Sequence, residues 1–255
     1  MTTLLEALSL HHRFGTMPAL SDVSLKVRHH EILAIVGESG SGKTTLLNVL
    51  SGRLIADQGA VFWRDGDNLR NLADLSEFEL HRLQRTHWGF IDQNPRMALR
   101  MNISAGGNIG ERLMANGTRH YEYIRETAAH WLRQVEIDPQ RMDDLPLSFS
   151  GGMLQRLQIA RTLVTEPQLV FMDEPTGGLD VSVQARILDL IRSLVRRFGL
   201  AAILVTHDIG VARLLADRLI VMRHGHIVES GLTDQVLDDP HHAYTQLLVI
   251  SVLPT

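Results

Sequence analysis

Residues 37–44 read Gly-Glu-Ser-Gly-Ser-Gly-Lys-Thr, preceded by the apolar run Ile32–Val36 and followed by Leu46 and Leu47. The spacing is G-x-x-x-x-G-K-T, in the order strand, glycine loop, helix that a phosphate-binding loop needs. Gly37, Gly40 and Gly42 let the backbone turn tightly. The N–H groups around them, with Ser39, Ser41 and Thr45, then face phosphate oxygens at the positive end of the following helix. Lys43 supplies a point charge for β- and γ-phosphates, and the Thr44 hydroxyl suits Mg²⁺. The competing reading, a glycine-rich turn with a chance lysine, does not explain the strand before it or the helix after it. The stretch predicts a nucleoside triphosphate site.

Bulk properties narrow the class. The chain has 255 residues, 44% hydrophobic and 21% charged, an ordinary globular mixture with enough length for a substantial core. A net charge of −4 and 5% aromatic residues offer neither a basic field nor stacking platforms for nucleic acid, so no nucleic-acid partner is expected. Cysteine is absent, which excludes disulfides and thiolate metal sites. No apolar run approaches the roughly 20 residues that span a bilayer, and Met1 onward lacks a signal-peptide pattern. The expectation is a cytoplasmic protein that any membrane partner would have to recruit.

Along the chain, Leu4–Leu10, Val23–Val27 and Ile32–Val36 read as strands, 43–54 as a helix, and Val61–Trp63 with Asp65-Gly66 as a strand and turn. Between about 74 and 145 the texture becomes helical at Ser76–Arg85 and His120–Val135, with a loop expected around Ser104–Gly107. A helix over 151–164 leads to Leu169–Asp173, a strand apolar enough for burial on both faces. Helix 181–198, strand Ala201–Thr206, helix 209–216 and strand Arg218–Met222 continue a β/α alternation that implies a parallel sheet. The expected class is α/β.

Asp173 ends a buried strand and Glu174 follows it. A carboxylate at a strand's C-terminal edge can hold Mg²⁺, and its neighbour can orient and deprotonate an attacking water. Two acids after a strand also describe a solvated turn; the following Pro175–Asp180 and the upstream phosphate loop favour the catalytic reading. His207 follows strand Ala201–Thr206 at the edge where ligands gather in open α/β folds. It is a candidate to bond the γ-phosphate and align water with Glu174. Ser150-Gly151-Gly152 opens a helix and forms a second anion site. Two such sites in one chain invite a dimer, in which the γ-phosphate bound by one copy is capped by the serine–glycine turn of another.

With these motifs in order, the sequence resembles the ATP-binding cassette ATPases over nearly its whole length. The elements that carry the resemblance are Gly37–Thr44, Gln93 in Ile-Asp-Gln-Asn-Pro, Phe149–Met153, Asp173 with Glu174, Leu179-Asp180 and His207. The resemblance implies a P-loop fold with a mostly parallel core sheet, an antiparallel β subdomain and a helical insertion. Residues 1–75 and 165–240 would form the nucleotide-binding core with its β subdomain, 76–164 the helical and signature subdomain, and 241–255 a tail. It also implies ATP hydrolysis in a head-to-tail dimer with a second copy or a sister ATPase. Phe14 would stack on adenine, Gln93 would touch Mg²⁺ and the water, and Asp180 would cross to the partner's site. Two departures stand out. The usual Leu-Ser-Gly-Gly-Gln appears here with Phe149 and Met153, and His30 occupies a turn position that is commonly glycine.

Two narrower resemblances compete. The ending His241–Leu248 is similar to the ATPase subunits of peptide and nickel importers, which generally continue well past such a tail. Ser104–Met114, the Phe149–Met153 signature, Thr176–Arg186 and Ser230–Asp234 resemble the cassette ATPase of the bacterial carbon–phosphorus lyase system, in length as well. That second resemblance implies docking on a soluble multi-subunit core that degrades phosphonates, with the C–P chemistry carried elsewhere. Arg82, Arg85, Arg96 and Arg100 read as a helical face, part of which would dock that core. The chain's 13 histidines read as surface imidazoles rather than a zinc site: adjacent pairs such as His11-His12 point to opposite faces if extended, and His224 and His226, spaced for one strand face, supply only two ligands.

Overall fold

The computed structural model describes residues 2–251; Met1 and the last four residues of the expected 241–255 tail lie outside the described residues. In chain order the elements are β1 (Thr3–Phe14), β2 (Met17–Arg28), β3 (Ile32–Val36), α1 (Lys43–Leu50), β4 (Gln58–Asp65), β5 (Asn68–Asn71) and α2 (Glu77–Thr86). They continue through β6 (Trp88–Ile91), α3 (Pro95–Ala98), α4 (Ala105–Ala115), α5 (Tyr121–Gln134), α6 (Gly151–Leu163), β7 (Leu169–Asp173) and α7 (Val181–Phe198). The chain closes with β8 (Ala201–Thr206), α8 (Ile209–Leu215), β9 (Arg218–Arg223), β10 (His226–Leu232), α9 (Thr233–Asp238) and α10 (Ala243–Ile250). Two compact units result: residues 1–81 with 199–255, and residues 82–198.

The first unit contains an antiparallel sheet in the order β2-β1-β4-β5. Its strands show the period-2 burial of a one-sided sheet: Val23, Leu25 and Val27 of β2 are buried while Ser24, Lys26 and Arg28 face outward. The same unit holds β3 between β8 and β9, both parallel to it, with β10 antiparallel on the far side of β9. Every residue of β3 and of β8 is buried, as expected of strands covered on both faces. The register pairs Val36 with Thr206, so Gly37 and His207 follow directly from neighbouring strand ends.

In the second unit β6 and β7 run parallel, pairing Ile91 with Met172. Asp92-Gln93 and Asp173-Glu174 therefore emerge side by side. Phe171 anchors this pair, stacked on Phe90 at 5.3 Å and edge-on to Trp88 at 5.2 Å between ring centroids. Helix α7 presents one apolar stripe, with Ile187, Ile191, Leu194 and Val195 buried.

The structure departs from the sequence reading in identifiable places. The helix expected over 43–54 stops at Leu50, because Gly52 takes a left-handed φ of +68° in the turn that follows. The stretch expected to be a loop at 104–107 is instead the start of α4, with the Ser104 hydroxyl capping the Gly107 amide. Its glycines serve close packing: a Cβ on Gly106 would lie 2.4 Å from Met142 Cγ, and one on Gly110 2.6 Å from Ile124 Cγ2. His224 sits in the β9–β10 turn while His226 opens β10, so they do not share a strand face. The four arginines fall on α2, on α3 and beyond it rather than on one helix, and Arg100 is engaged with Glu111 at 2.6 Å.

His30 takes a φ of +60° in the turn between β2 and β3, which explains why glycine suits that position. Its Nδ1 meets the Gly199 carbonyl. Next to it, buried Glu31 accepts from the Arg28 amide at 2.7 Å and from Arg218 Nη1 of β9 at 3.0 Å. We expect Glu31→Ala to lower unfolding free energy by about 2–3 kcal/mol in urea titrations, because the amide and the guanidinium lose their acceptor together.

Candidate functional site

The phosphate loop runs from the end of β3 into α1, and three backbone features set its shape. Gly37, Gly40 and Gly42 have φ of +153°, +79° and +103°. A Cβ on Gly37 would stand 2.2 Å from the Met222 carbonyl oxygen, and one on Gly42 2.4 Å from that of Ala19. Gly40 has open space and needs glycine only for its dihedral. Gly42 is also the N-cap of α1, so no side-chain oxygen caps that helix start.

The remaining loop contacts bring in distant residues. The Ser41 carbonyl accepts from the Gly225 amide at 3.0 Å, and the Gly225 carbonyl accepts from Ser21 at 2.9 Å. The Glu38 amide donates to the Tyr244 hydroxyl at 3.0 Å. Tyr244, on α10, is itself buried under the Arg223 guanidinium, 4.9 Å from its ring centroid. Lys43 is buried and curls over the loop, its Nζ donating to the carbonyls of Gly37 at 2.7 Å and Glu38 at 2.8 Å. Thr44 and Ser39 are exposed; Ser41 is buried, and Thr45 partly so. A cation is thus held against the cradle rather than extended into solvent.

Phe14 ends β1 with its ring more than half exposed. The buried His12 imidazole meets it edge-on at 4.8 Å and 86°. Asp57 braces that strand end, accepting from the Arg13 amide at 2.7 Å and lying 3.4 Å from His12 Nδ1. His207 is exposed at the end of β8, and the Asp208 carboxylate behind it caps α8, accepting from Gly210 at 2.7 Å and Val211 at 3.3 Å.

In the second unit Glu174 has a left-handed φ of +46°, an unusual backbone state for a residue with a long side chain. Its carbonyl accepts from Gly177 at 2.9 Å, closing a tight turn after Asp173. Gln93 packs on that turn: a Cβ on Gly177 would lie 3.0 Å from Gln93 Nε2. Gln158 of α6 is buried, and its amide, oriented to satisfy both ends, bonds the Asp92 N–H at 2.7 Å and carbonyl at 3.2 Å. The Thr162 hydroxyl of the same helix donates to the Phe90 carbonyl at 2.8 Å. Helix α6 is therefore fastened to the strand that delivers Gln93.

Ser150 caps α6, and both Ser150 and Gly151 are exposed. A Cβ on Gly152 would lie 2.6 Å from Val183 Cγ1, and one on Gly151 3.5 Å from Leu179 Cδ2, so the turn before α7 lies against the start of α6. Asp180 is exposed beside it and its carbonyl starts α7, accepting from Val183 at 2.9 Å and Gln184 at 2.8 Å.

The sequence profile of the ABC transporter family matches residues 20–177, more than half of the chain. The chain belongs to the ABC ATPase family. Among relatives it is 62% identical over 250 residues to PhnK of Escherichia coli (strain K12), a protein named for phosphonates utilization and ATP binding, covering 98% of each chain. It is 36% identical over 264 residues to the oligopeptide transport ATP-binding protein OppD of Bacillus subtilis (strain 168), covering all of this chain and 73% of that one. Among solved structures, the dimeric post-hydrolysis state of the cassette MJ0796 bound to ADP and Pi aligns with a TM-score of 0.79 at 29% identity. That alignment covers 90% of this chain and 99% of the other. This ABC protein is an ATPase, and ATP is its nucleotide. Among the described residues no helix is long and apolar enough to cross a membrane, and no group of three or more His, Asp or Glu side chains gathers as a metal cluster.

Sequence reasoning missed His12, Tyr244, Arg223 and Gln158, which touch the motifs from elsewhere in the chain. Tyr244 lay in a stretch that drew attention for its resemblance rather than its contact, and His12, read with His11 as a surface imidazole, is buried. The glycine geometry separates two effects experimentally. Gly40→Ala should cost about 1–2 kcal/mol from the left-handed backbone alone. Gly42→Ala should cost clearly more, because it adds a carbonyl clash, and urea unfolding of the two variants checks the order.

Proposed function

We propose that this ABC ATPase is the ATP-hydrolysing subunit of a phosphonate-degrading carbon–phosphorus lyase system. Two copies, or one copy and a sister ATPase, close on ATP, and hydrolysis reopens them while they are docked on the lyase core. The likeness to PhnK at 62% identity over 98% of the chain carries the reading. The head-to-tail closure is supported by the dimeric cassettes among the structural neighbours and by the exposure of Ser150 and Gly151 on this chain. C–P bond cleavage belongs to other subunits.

In this reading Phe14 stacks on adenine. The loop from Gly37 through Ser39, Gly40, Ser41 and Gly42, with Thr45, wraps the phosphates, and Lys43 neutralises them. The water oxygen bonds the γ-phosphorus as its bond to the bridging oxygen breaks; Glu174 takes the water's proton, and ADP and phosphate leave. His207 holds the γ-phosphate in line, and Gln93 positions the water. Ser150, Gly151 and Gly152 cap the γ-phosphate held by the other copy, while Asp180 reaches that copy's site. Thr44, Gln93 and Asp173 bring a hydroxyl, an amide oxygen and a carboxylate. These are hard oxygen donors that fit Mg²⁺, which supplies charge neutralisation of the phosphates when bound.

Glu174→Gln tests the catalytic assignment. ATP hydrolysis should fall at least about 100-fold while ATP binding persists. In the native host the same replacement should abolish growth on a phosphonate as sole phosphorus source. Sustained growth with hydrolysis lost would overturn the motor reading, and recovery of membrane permeases instead of lyase subunits on affinity purification would favour a peptide-type importer. Phe14→Ala should weaken ATP binding about tenfold, a loss of stacking measurable by calorimetry.

A further inference from the structure

Phe149 and Met153 flank the serine–glycine turn, and one side chain touches both. Arg141 lies in the short 3-10 turn Pro139–Asp143, which Asp138 caps through the Gln140 amide at 2.9 Å. Its guanidinium carbon stands 4.5 Å above the Phe149 ring. Nη1 is 3.3 Å from Met153 Sδ, and Nη2 is 3.2 Å from Ser148 Oγ and 3.5 Å from the Ser148 carbonyl. Nε donates to Asp144 Oδ2 at 2.7 Å, which fixes the fork in place. The planar group uses its face on the ring and its edges on sulfur and oxygen at once, a set of contacts an ammonium cannot reproduce.

The turn has need of such support. The Ser150 hydroxyl that caps α6 accepts from the Met153 amide at 3.4 Å, a long bond. Ser150 and Gly151 are exposed and have little packing of their own, whereas Phe149 beneath them is buried. The Arg141 side chain is one-third exposed, so its ion pair with Asp144 is screened, and the stack and sulfur contact carry the positioning.

We propose that Arg141 is a positioning residue for the γ-phosphate cap, and that Arg141, Phe149 and Met153 form one interdependent set. The guanidinium pins the residues on either side of Ser150-Gly151-Gly152, so the turn keeps the pose in which it meets a nucleotide held by a second copy. The functional half of this inference rests on the dimer reading above; the structural half does not.

The test uses the full-length chain with Glu174→Gln as background. Arg141→Gln should speed hydrogen exchange at the Met153 and Leu154 amides about tenfold while leaving the α1 amides unchanged. ATP affinity of the monomer should hold, and ATP-driven association should weaken about tenfold, with Arg141→Lys failing to restore it. When Phe149→Leu and Met153→Gln are already present, the same Arg141 change should alter either readout less than about twofold. A residue needed only for folding would instead raise exchange along the whole chain, equally in both backgrounds. Unaltered exchange at Met153 and Leu154, or an effect undiminished beside Phe149→Leu and Met153→Gln, overturns the proposal. If the background protein itself stays monomeric with ATP, the dimer reading fails while the exchange measurement still decides the role of Arg141.

Discussion

Two backbone carbonyl oxygens, those of Ala19 and Met222, stand 2.4 and 2.2 Å from where the β-carbons of Gly42 and Gly37 would be, too close for any side chain. That absence of space gives the phosphate loop its curvature and brings the amide-lined turn to the end of β3. The supports come from far along the chain: Gly225 bonds the Ser41 carbonyl and Tyr244 receives the Glu38 amide. The loop is local in sequence, yet its shape is held by the β9–β10 turn and the C-terminal helix. Tyr244 and Gly225 thus touch the glycine loop from outside the motif.

The second unit solves a different problem, that of placing acids and amides at strand ends with little freedom. The parallel pairing of Ile91 with Met172 brings Gln93 and Glu174 out at neighbouring strand ends, and the left-handed φ of Glu174 turns the backbone out of the strand there. Helix α6 ties this edge to the exposed serine–glycine turn through Gln158 and Thr162. One helix thus carries the exposed serine–glycine turn at its start and clasps the glutamine-bearing strand along its body.

Much of this was legible in the residues. Local chemistry with strict spacing, such as the loop Gly37–Thr44, reads directly as an ATP-binding element because glycines and lysine between a strand and a helix have few other uses in that order. Buried strands such as β3 and β8 read as continuous apolar runs. Long-range packing did not read. Gly106 and Gly107 argued for a loop, yet both lie in α4, packed closely against Met142 and Ile103. The arginines at 82, 85, 96 and 100 looked like one face, but strand β6 separates the pair on α2 from Arg96 on α3, and Glu111 engages Arg100. Short β6 and the closing β10, α9 and α10 carry weak periodicity, so their contributions were invisible until the fold was known.

Mixing two inactive full-length variants tests the central claim most directly. Lys43→Ala removes the phosphate cation, and Ser150→Arg blocks the cap; each protein alone should lack ATPase activity. If each site is built from the lysine loop of one copy and the serine–glycine turn of another, the mixture assembles one intact site per mixed dimer and activity returns. Activity no greater than that of the separate proteins, with mixed dimers demonstrably present, would contradict the account.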